Sequence, residues 1–155
     1  MLPTWTTAEL AYLAGIIDGE GCFCLHRRRG TLIGSTQLQI GNTDLRLLQW
    51  VSQHFGGSVK LEKRQNLHHK PVWRWTSTAE ALETLTRAVL PFLIVKREQA
   101  ELLLAYRATV AVSGAEWIRS RGTPAHIREE RERIHERISR LNRRGVQDGP
   151  MAVNH

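Results

Sequence analysis

The sequence predicts an α+β domain of order αββαββα, its four strands forming one antiparallel sheet, followed by a further C-terminal helix. Two observations carry this. Two pairs of short segments alternate apolar and polar residues, each pair folding back across a polar turn. Capped stretches with helical spacing precede and follow each pair. A third observation narrows the class. No stretch approaches 18 apolar residues, and Met1 to Thr7 lacks a basic region followed by an apolar run. Neither a membrane span nor a secretion signal is expected, and the setting reads as intracellular, prokaryotic cytoplasm or an organelle.

The elements follow in order. Thr6 and Glu9 have the spacing of a capping box, and a helix runs from Leu10 to about Asp18. One face carries Leu10, Leu13, Ala14 and Ile17; a second carries Ala11, Gly15 and Asp18. Only Tyr12 interrupts the apolar character, so the helix reads as buried nearly all round and in need of a second partner. Gly19 and Gly21 are expected to end it. Cys22 to Arg28 then alternates, with Phe23 and Leu25 on one face and Cys24, His26 and Arg28 on the other. After a turn near Gly30, Ser35 to Gly41 places Leu38 and Ile40 opposite Ser35, Gln37 and Gln39. Asn42-Thr43-Asp44 caps a second helix, which stops at Phe55-Gly56-Gly57.

The hairpin pattern then repeats. Ser58 to Lys63 reads as a strand with Val59 and Leu61 inward, and Arg64 to Lys70 as a polar turn. Val72 to Thr76 returns with Trp73 and Trp75 on the core face and Arg74 on the other. Ser77 and Glu80 have capping-box spacing before a helix over Ala79 to Val89. Pro91 interrupts, and a long helix runs from about Ile94 to Ala111. Residues 1–112 form the expected core. Residues 113–122 read as a linker. Thr123-Pro124 opens a charged helix to about Arg144, the two making up 113–145 of the same domain. Its thin stripe of Ile127, Ile134, Ile138 and Leu141 reads as a surface helix laced with Glu–Arg pairs. Residues 146–155 are expected to be a disordered tail.

Lys and Arg number 22 against 15 Asp and Glu, a net charge of +7 and an isoelectric point near 10.2. A balance this basic points toward a polyanion, most commonly nucleic acid, although a solvated basic surface accounts for charge alone equally well. The two cysteines, Cys22 and Cys24, share one strand face. Roughly 6.6 Å apart along a regular strand, they suit a disulfide poorly. No CxxC pattern or matching histidine cluster makes them a zinc site. Reduced cysteines fit an intracellular protein.

The informative stretch is Leu13-Ala14-Gly15-Ile16-Ile17-Asp18-Gly19-Glu20-Gly21. Ala11 and Gly15, four residues apart, leave a shallow face that a second helix can approach closely. Glu20 is expected just past the helix end, where a carboxylate opposes the helix dipole. If two such helices pack about a twofold axis, two Glu20 carboxylates meet. Divalent cations with hard oxygen ligands would relieve that repulsion. Two metals about 3.5–4 Å apart can serve an in-line phosphodiester displacement. The chain holds one copy of the motif, so such a site demands a homodimer, with Asp18 capping or pinning the partner helix.

This stretch resembles the signature of the LAGLIDADG homing endonucleases, with Ile-Ile as the middle apolar pair and Gly-Glu in place of the final Ala-Asp. The resemblance covers about residues 4–112 and extends to single-motif members that act as homodimers. It implies an intron-homing, site-specific double-strand DNA endonuclease that cuts a long pseudo-palindromic site with Mg²⁺ or another divalent cation such as Mn²⁺. It implies Glu20 and the adjoining Gly19 at the metal, and Asn42, in Gln39-Ile40-Gly41-Asn42, ordering water. Arg46 and Lys96, the latter closing Pro91-Phe92-Leu93-Ile94-Val95-Lys96, would stabilise developing negative charge. Glu20 replaces the commoner aspartate, and Asn42 is shorter than the glutamine of some members. The sheet would be a saddle whose concave face lies in the major groove. Strand parity then nominates Cys24, His26, Arg28, Ser35, Gln37, Gln39, Lys60, Glu62 and Arg74 for base contacts. Lys63, Arg64 and Lys70 are nominated for phosphates. The competing readings are a non-cleaving DNA-binding protein and an RNA maturase acting on its own intron RNA.

Overall fold

In the computed structural model, residues 4–27, 34–62, 70–116 and 122–143 are described. Arg28, Lys63 and Arg64, the turn near Gly30 and the tail at 146–155 lie outside them.

Helix α1 spans Thr7–Glu20. The capping box is formed: the Thr6 hydroxyl accepts from the Glu9 N–H at 3.2 Å, and the Glu9 carboxylate accepts from the Thr6 N–H at 2.7 Å. The helix runs two residues further than expected. Gly19 stays helical, because one glycine costs only about 1 kcal/mol against alanine and the hydrogen-bond ladder continues through it. Glu20 is therefore the last helical residue, not the first beyond the end. The break falls at Gly21, whose N–H donates to the Ile17 carbonyl. A Cβ there would lie 2.8 Å from the Ile17 Cα and carbonyl oxygen, so the chain can turn back across its own helix only at glycine. Leu13, Ala14, Ile16 and Ile17 are buried. Ala8, Ala11, Tyr12, Gly15 and Gly19 are exposed, so the second apolar face lies open in the single chain.

Strands β1 (Gly21–Arg27), β2 (Gly34–Asn42), β3 (Ser58–Leu61) and β4 (Trp73–Thr76) form one antiparallel sheet in the order β1-β2-β4-β3. Its register sets the parity. Cys24 pairs with Gln37, His26 with Ser35, Gly41 with Arg74, and Arg74 with Lys60. On the other face Phe23, Leu38, Ile40 and Trp75 are fully buried. They pack with Leu13 and Ile17 of α1, with Leu48 of α2 (Leu45–Phe55), with Leu82 and Leu85 of α3 (Ala79–Val89) and with Leu103 of α4 (Arg97–Glu116). Burying each such side chain contributes roughly 1.5–3 kcal/mol. Trp75 also donates its indole N–H to the Gly56 carbonyl at 2.7 Å. Gly57, at φ 86°, lets the chain pass 2.6 Å from that nitrogen, measured from the Cβ it lacks. As expected, both tryptophans belong to the core face, with Trp73 partly buried.

Four further features differ from expectation. Thr78, not Ser77, caps α3, accepting from the Ala81 N–H at 3.2 Å. Ser77 instead extends the sheet, its N–H donating to the Leu38 carbonyl at 3.0 Å and its hydroxyl accepting from the Leu38 N–H at 3.3 Å. β3 ends at Leu61, which is 51% exposed: it lies at the far end of an edge strand, opposite the half-buried Trp73. α4 starts at Arg97, after a turn at 94–96, and runs to Glu116, into the expected linker.

The fourth difference is the C-terminal helix α5, Ala125–Leu141. Ile127, Arg131, Ile134 and Ile138 are buried, and the helix packs against α4 and β1. Arg131 completes the stripe because its polar end is paired. It donates to the Thr109 hydroxyl at 2.9 Å and carbonyl at 3.2 Å, and lies 5.8 Å over the Tyr106 ring. The expected Glu–Arg pairs occupy the outer face, as in Arg133–Glu130, while Arg137 reaches Glu98 of α4 at 2.7 Å. No helix among the described residues is long and apolar enough to cross a membrane.

Candidate active site

The end of α1, the end of β2 and the turn before α4 converge on an open cleft of about 680 Å³. Gly19, Glu20, Asn42 and Lys96 line it, so three of the four expected catalytic side chains are brought together. Glu20 is exposed, and no basic residue occupies the last turn of α1. Its carboxylate thus stands at the negative pole of the helix without a counter-charge in that turn. Asn42 accepts from the Asp44 N–H at 2.8 Å, a local turn that starts α2.

Lys96 is half-buried and spans the end of α1. Its ammonium donates to the Ile17 carbonyl at 2.9 Å and the Gly21 carbonyl at 2.5 Å. Burial pushes its pKa below the ordinary lysine value, and the charges of Cys22, Asp18 and Glu20 partly oppose that. Asp18 explains how the lysine is placed. Its carboxylate accepts from the backbone N–H groups of Ile94 at 2.8 Å, Val95 at 3.1 Å and Lys96 at 2.9 Å. The acid expected to engage a partner helix is engaged within its own chain, by the N–H groups that lead into α4.

Arg46 does not line the cleft. Its side chain is 87% exposed and grips Asp44, with Nε to Oδ1 at 3.0 Å and Nη2 to Oδ2 at 2.6 Å. That guanidinium holds the Asp44 carboxyl at about 2.

The polar sheet face carries a chain of side-chain contacts. Gln39 donates to Gln37 at 2.7 Å, Arg74 donates to Gln39 at 2.8 Å, and Arg74 also pairs with Glu62. The Cys24 thiol donates to Cys22 Sγ at 3.2 Å. That contact, with Lys96 and Arg74 nearby and against the effect of burial, holds the Cys22 thiol down at about 7. Both cysteines are free, as expected. His26, Ser35, Lys60 and Lys70 are exposed.

Gln99, Asn142 and Arg143 also line the cleft, and sequence reasoning missed them. Asn142 donates to the Phe23 carbonyl at 2.9 Å, bringing the end of α5 to the site. The apolar stripe of α5 was the available signal, but which elements it covers depends on the packing of α4 and β1.

The cleft offers hard oxygen donors but only one carboxylate of the motif. No cluster of three or more His, Cys, Asp or Glu able to hold a metal occurs among the described residues. Glu20 could supply one carboxylate ligand to a divalent cation there.

The five helices and single four-stranded antiparallel sheet match the fold of the LAGLIDADG homing endonucleases. The chain is similar to the homing endonuclease I-CvuI in complex with its target, at 21% identity and a TM-score of 0.66, over 93% of this chain and 85% of that one. It is similar to an archaeal intron-encoded homing endonuclease complexed with DNA, at 14% identity and a TM-score of 0.66, over 92% and 89%. The LAGLIDADG homing endonuclease I-GzeII, in complex with its DNA target, matches at 16% identity and a TM-score of 0.62, over 81% of this chain and 43% of that one. At these identities the likeness is one of fold. No family model and no curated protein matches the sequence.

Proposed function

We propose that this chain is a site-specific DNA endonuclease that works as a homodimer, hydrolysing both strands of a long pseudo-palindromic site with Mg²⁺ or another divalent cation. One observation carries the reading. Glu20 ends a helix whose exposed side carries the small residues Ala8, Ala11, Gly15 and Gly19 beside Tyr12. A Cβ at Gly15 or Gly19 would meet nothing of its own chain within 4 Å. The smallness of these residues serves no contact in the monomer, and it matches what close approach of a second copy needs. Such an approach about a twofold axis completes the half-site with a second Glu20. The match to less than half of I-GzeII supports the same conclusion, since that chain is more than twice the length of the aligned unit.

Glu20, with the adjoining Gly19, would hold the cation, which when bound supplies Lewis-acid assistance to phosphodiester hydrolysis. The chain's own residues do the rest. Lys96 puts positive charge into the cleft where the reacting phosphate gains negative charge. Asn42 orients water. Arg46, outside the cleft and exposed, is free to swing toward the DNA backbone on leaving Asp44. His26, Ser35, Gln37, Gln39, Lys60 and Arg74 share the polar sheet face with Cys24 and Glu62, and read bases in the major groove. Lys70, and by the same reasoning Arg28, Lys63 and Arg64, add to base or phosphate contacts. I-CvuI was crystallised on DNA with calcium and, with the DNA uncleaved, with magnesium, and I-SmaMI on uncleaved DNA with calcium, in keeping with divalent-cation use.

Glu20→Gln keeps the size of the side chain and removes its charge. The variant is expected to retard target DNA in a gel at least as well as the unmodified protein, and to leave it uncut in Mg²⁺. Chelating the metal from the unmodified protein should separate binding from cutting in the same way. Cleavage by Glu20→Gln at the normal rate would place the active site elsewhere.

A further inference from the structure

Three polar side chains are buried among the described residues: Thr86, Arg131 and Gln99. Two are paired. The Thr86 hydroxyl donates to the Leu82 carbonyl at 2.6 Å, and Arg131 is bonded to Thr109. Gln99 is the exception. It is 7% exposed and sits in the first turn of α4 beside the buried Ala100 and Leu103. Its amide makes no hydrogen bond among the described residues. Yet no side-chain nitrogen or oxygen among the described residues is both sealed from solvent and unpaired. The small exposed part of Gln99 therefore includes its amide, and Gln99 lines the cleft shared by Glu20, Asn42 and Lys96.

A side chain more than nine-tenths buried whose amide finds no protein partner must draw its hydrogen bonds from what enters the cleft, whereas an apolar side chain of the same length would need none. The amide must meet something that enters the cleft. It presents a donor at Nε2 and an acceptor at Oε1. A phosphate offers only acceptors and a cation only positive charge, so each leaves half of the amide unmatched. Water matches both.

We infer that Gln99 is a positioning residue that holds an ordered water in the cleft. Its place one helical turn beyond Lys96 fixes that water in the same cleft as Glu20. The catalytic consequence rests on the endonuclease reading above; the bound water does not.

Two variants and one structure test this. A high-resolution crystal structure of the unmodified protein should show a water within hydrogen-bond distance of both amide atoms. Gln99→Met, matched in length but apolar, should melt no lower than the unmodified protein and bind DNA equally well in Ca²⁺. Its single-turnover cleavage rate in Mg²⁺ should fall about ten- to a hundredfold. Gln99→Glu, which still accepts from water, should recover part of that rate. A merely structural role would instead lower the melting temperature of Gln99→Met, with no recovery in Gln99→Glu. Unchanged cleavage by Gln99→Met, or an amide bonded to protein or to a DNA phosphate, would overturn the inference and leave the endonuclease reading standing. If the unmodified protein does not cut DNA, the endonuclease reading fails and the crystallographic water alone decides for or against Gln99.

Discussion

Asp18 terminates on three consecutive backbone N–H groups, and this one carboxylate joins the motif helix to the turn that delivers Lys96. Hydrogen bonds to a charged acceptor are each stronger than neutral ones, and the Lys96 contact is partly shielded from water. Asp18→Asn retains an acceptor but loses the charge, and turns an NH₂ donor toward groups that are themselves donors. The variant should lose about 1–2 kcal/mol of stability, measured by urea unfolding, once the exposure of the Ile94 and Val95 contacts is allowed for. The loss should appear at every protein concentration, because the contacts lie within one chain. If Asp18 acted only on a partner subunit, the loss would instead appear as a shift in the monomer–dimer equilibrium. Arg46 shows the opposite case: the family resemblance nominated it for the site, but its nearest anion is Asp44, two residues away, and local pairing decides where an exposed side chain rests.

At the scale of elements, legibility follows locality. The Thr6–Glu9 box, the two alternating hairpins and the Asp44 cap are set by residues within a few positions of each other, and they could be read directly. The extension of α1 to Glu20 could not, because the stop depends on Ile17 closing against Gly21. α5 was least legible. Its stripe is thin and its composition charged, and one of its four buried positions is an arginine. Burial there depends on Thr109 and Tyr106, 22 and 25 residues away on α4, which no local pattern reveals. Arg131→Ala should therefore cost about 2 kcal/mol or more, since it strips the contacts to Thr109 and leaves a void against Tyr106. Arg128→Ala, on the exposed side of the same helix, should change stability by less than about 0.5 kcal/mol. Equal effects in thermal unfolding would return α5 to the status of a surface helix.

For the whole molecule, the open question of assembly turns on two glycines with opposite surroundings. Gly21 is enclosed by Ile17, so any larger residue there damages the monomer. Gly15 faces empty space within its own chain, so the monomer accommodates a larger residue. Gly15→Leu is thus expected to fold with an unchanged circular dichroism spectrum. Across a twofold seam, however, each dimer receives two added side chains where the helices meet. Overpacking of this kind costs roughly 1–3 kcal/mol at each site, enough to shift a micromolar association toward monomer. Sedimentation should then show half the mass of the unmodified protein. Cleavage should fail, because a monomer holds one Glu20. DNA binding should weaken as well and become less steeply dependent on salt, because one chain carries +7 where the pair carries twice that and releases fewer counterions. Gly15→Leu that remains dimeric and cuts both strands, or an unmodified chain that sediments as a stable monomer while doing so, would sink the shared-site assembly and leave the fold intact.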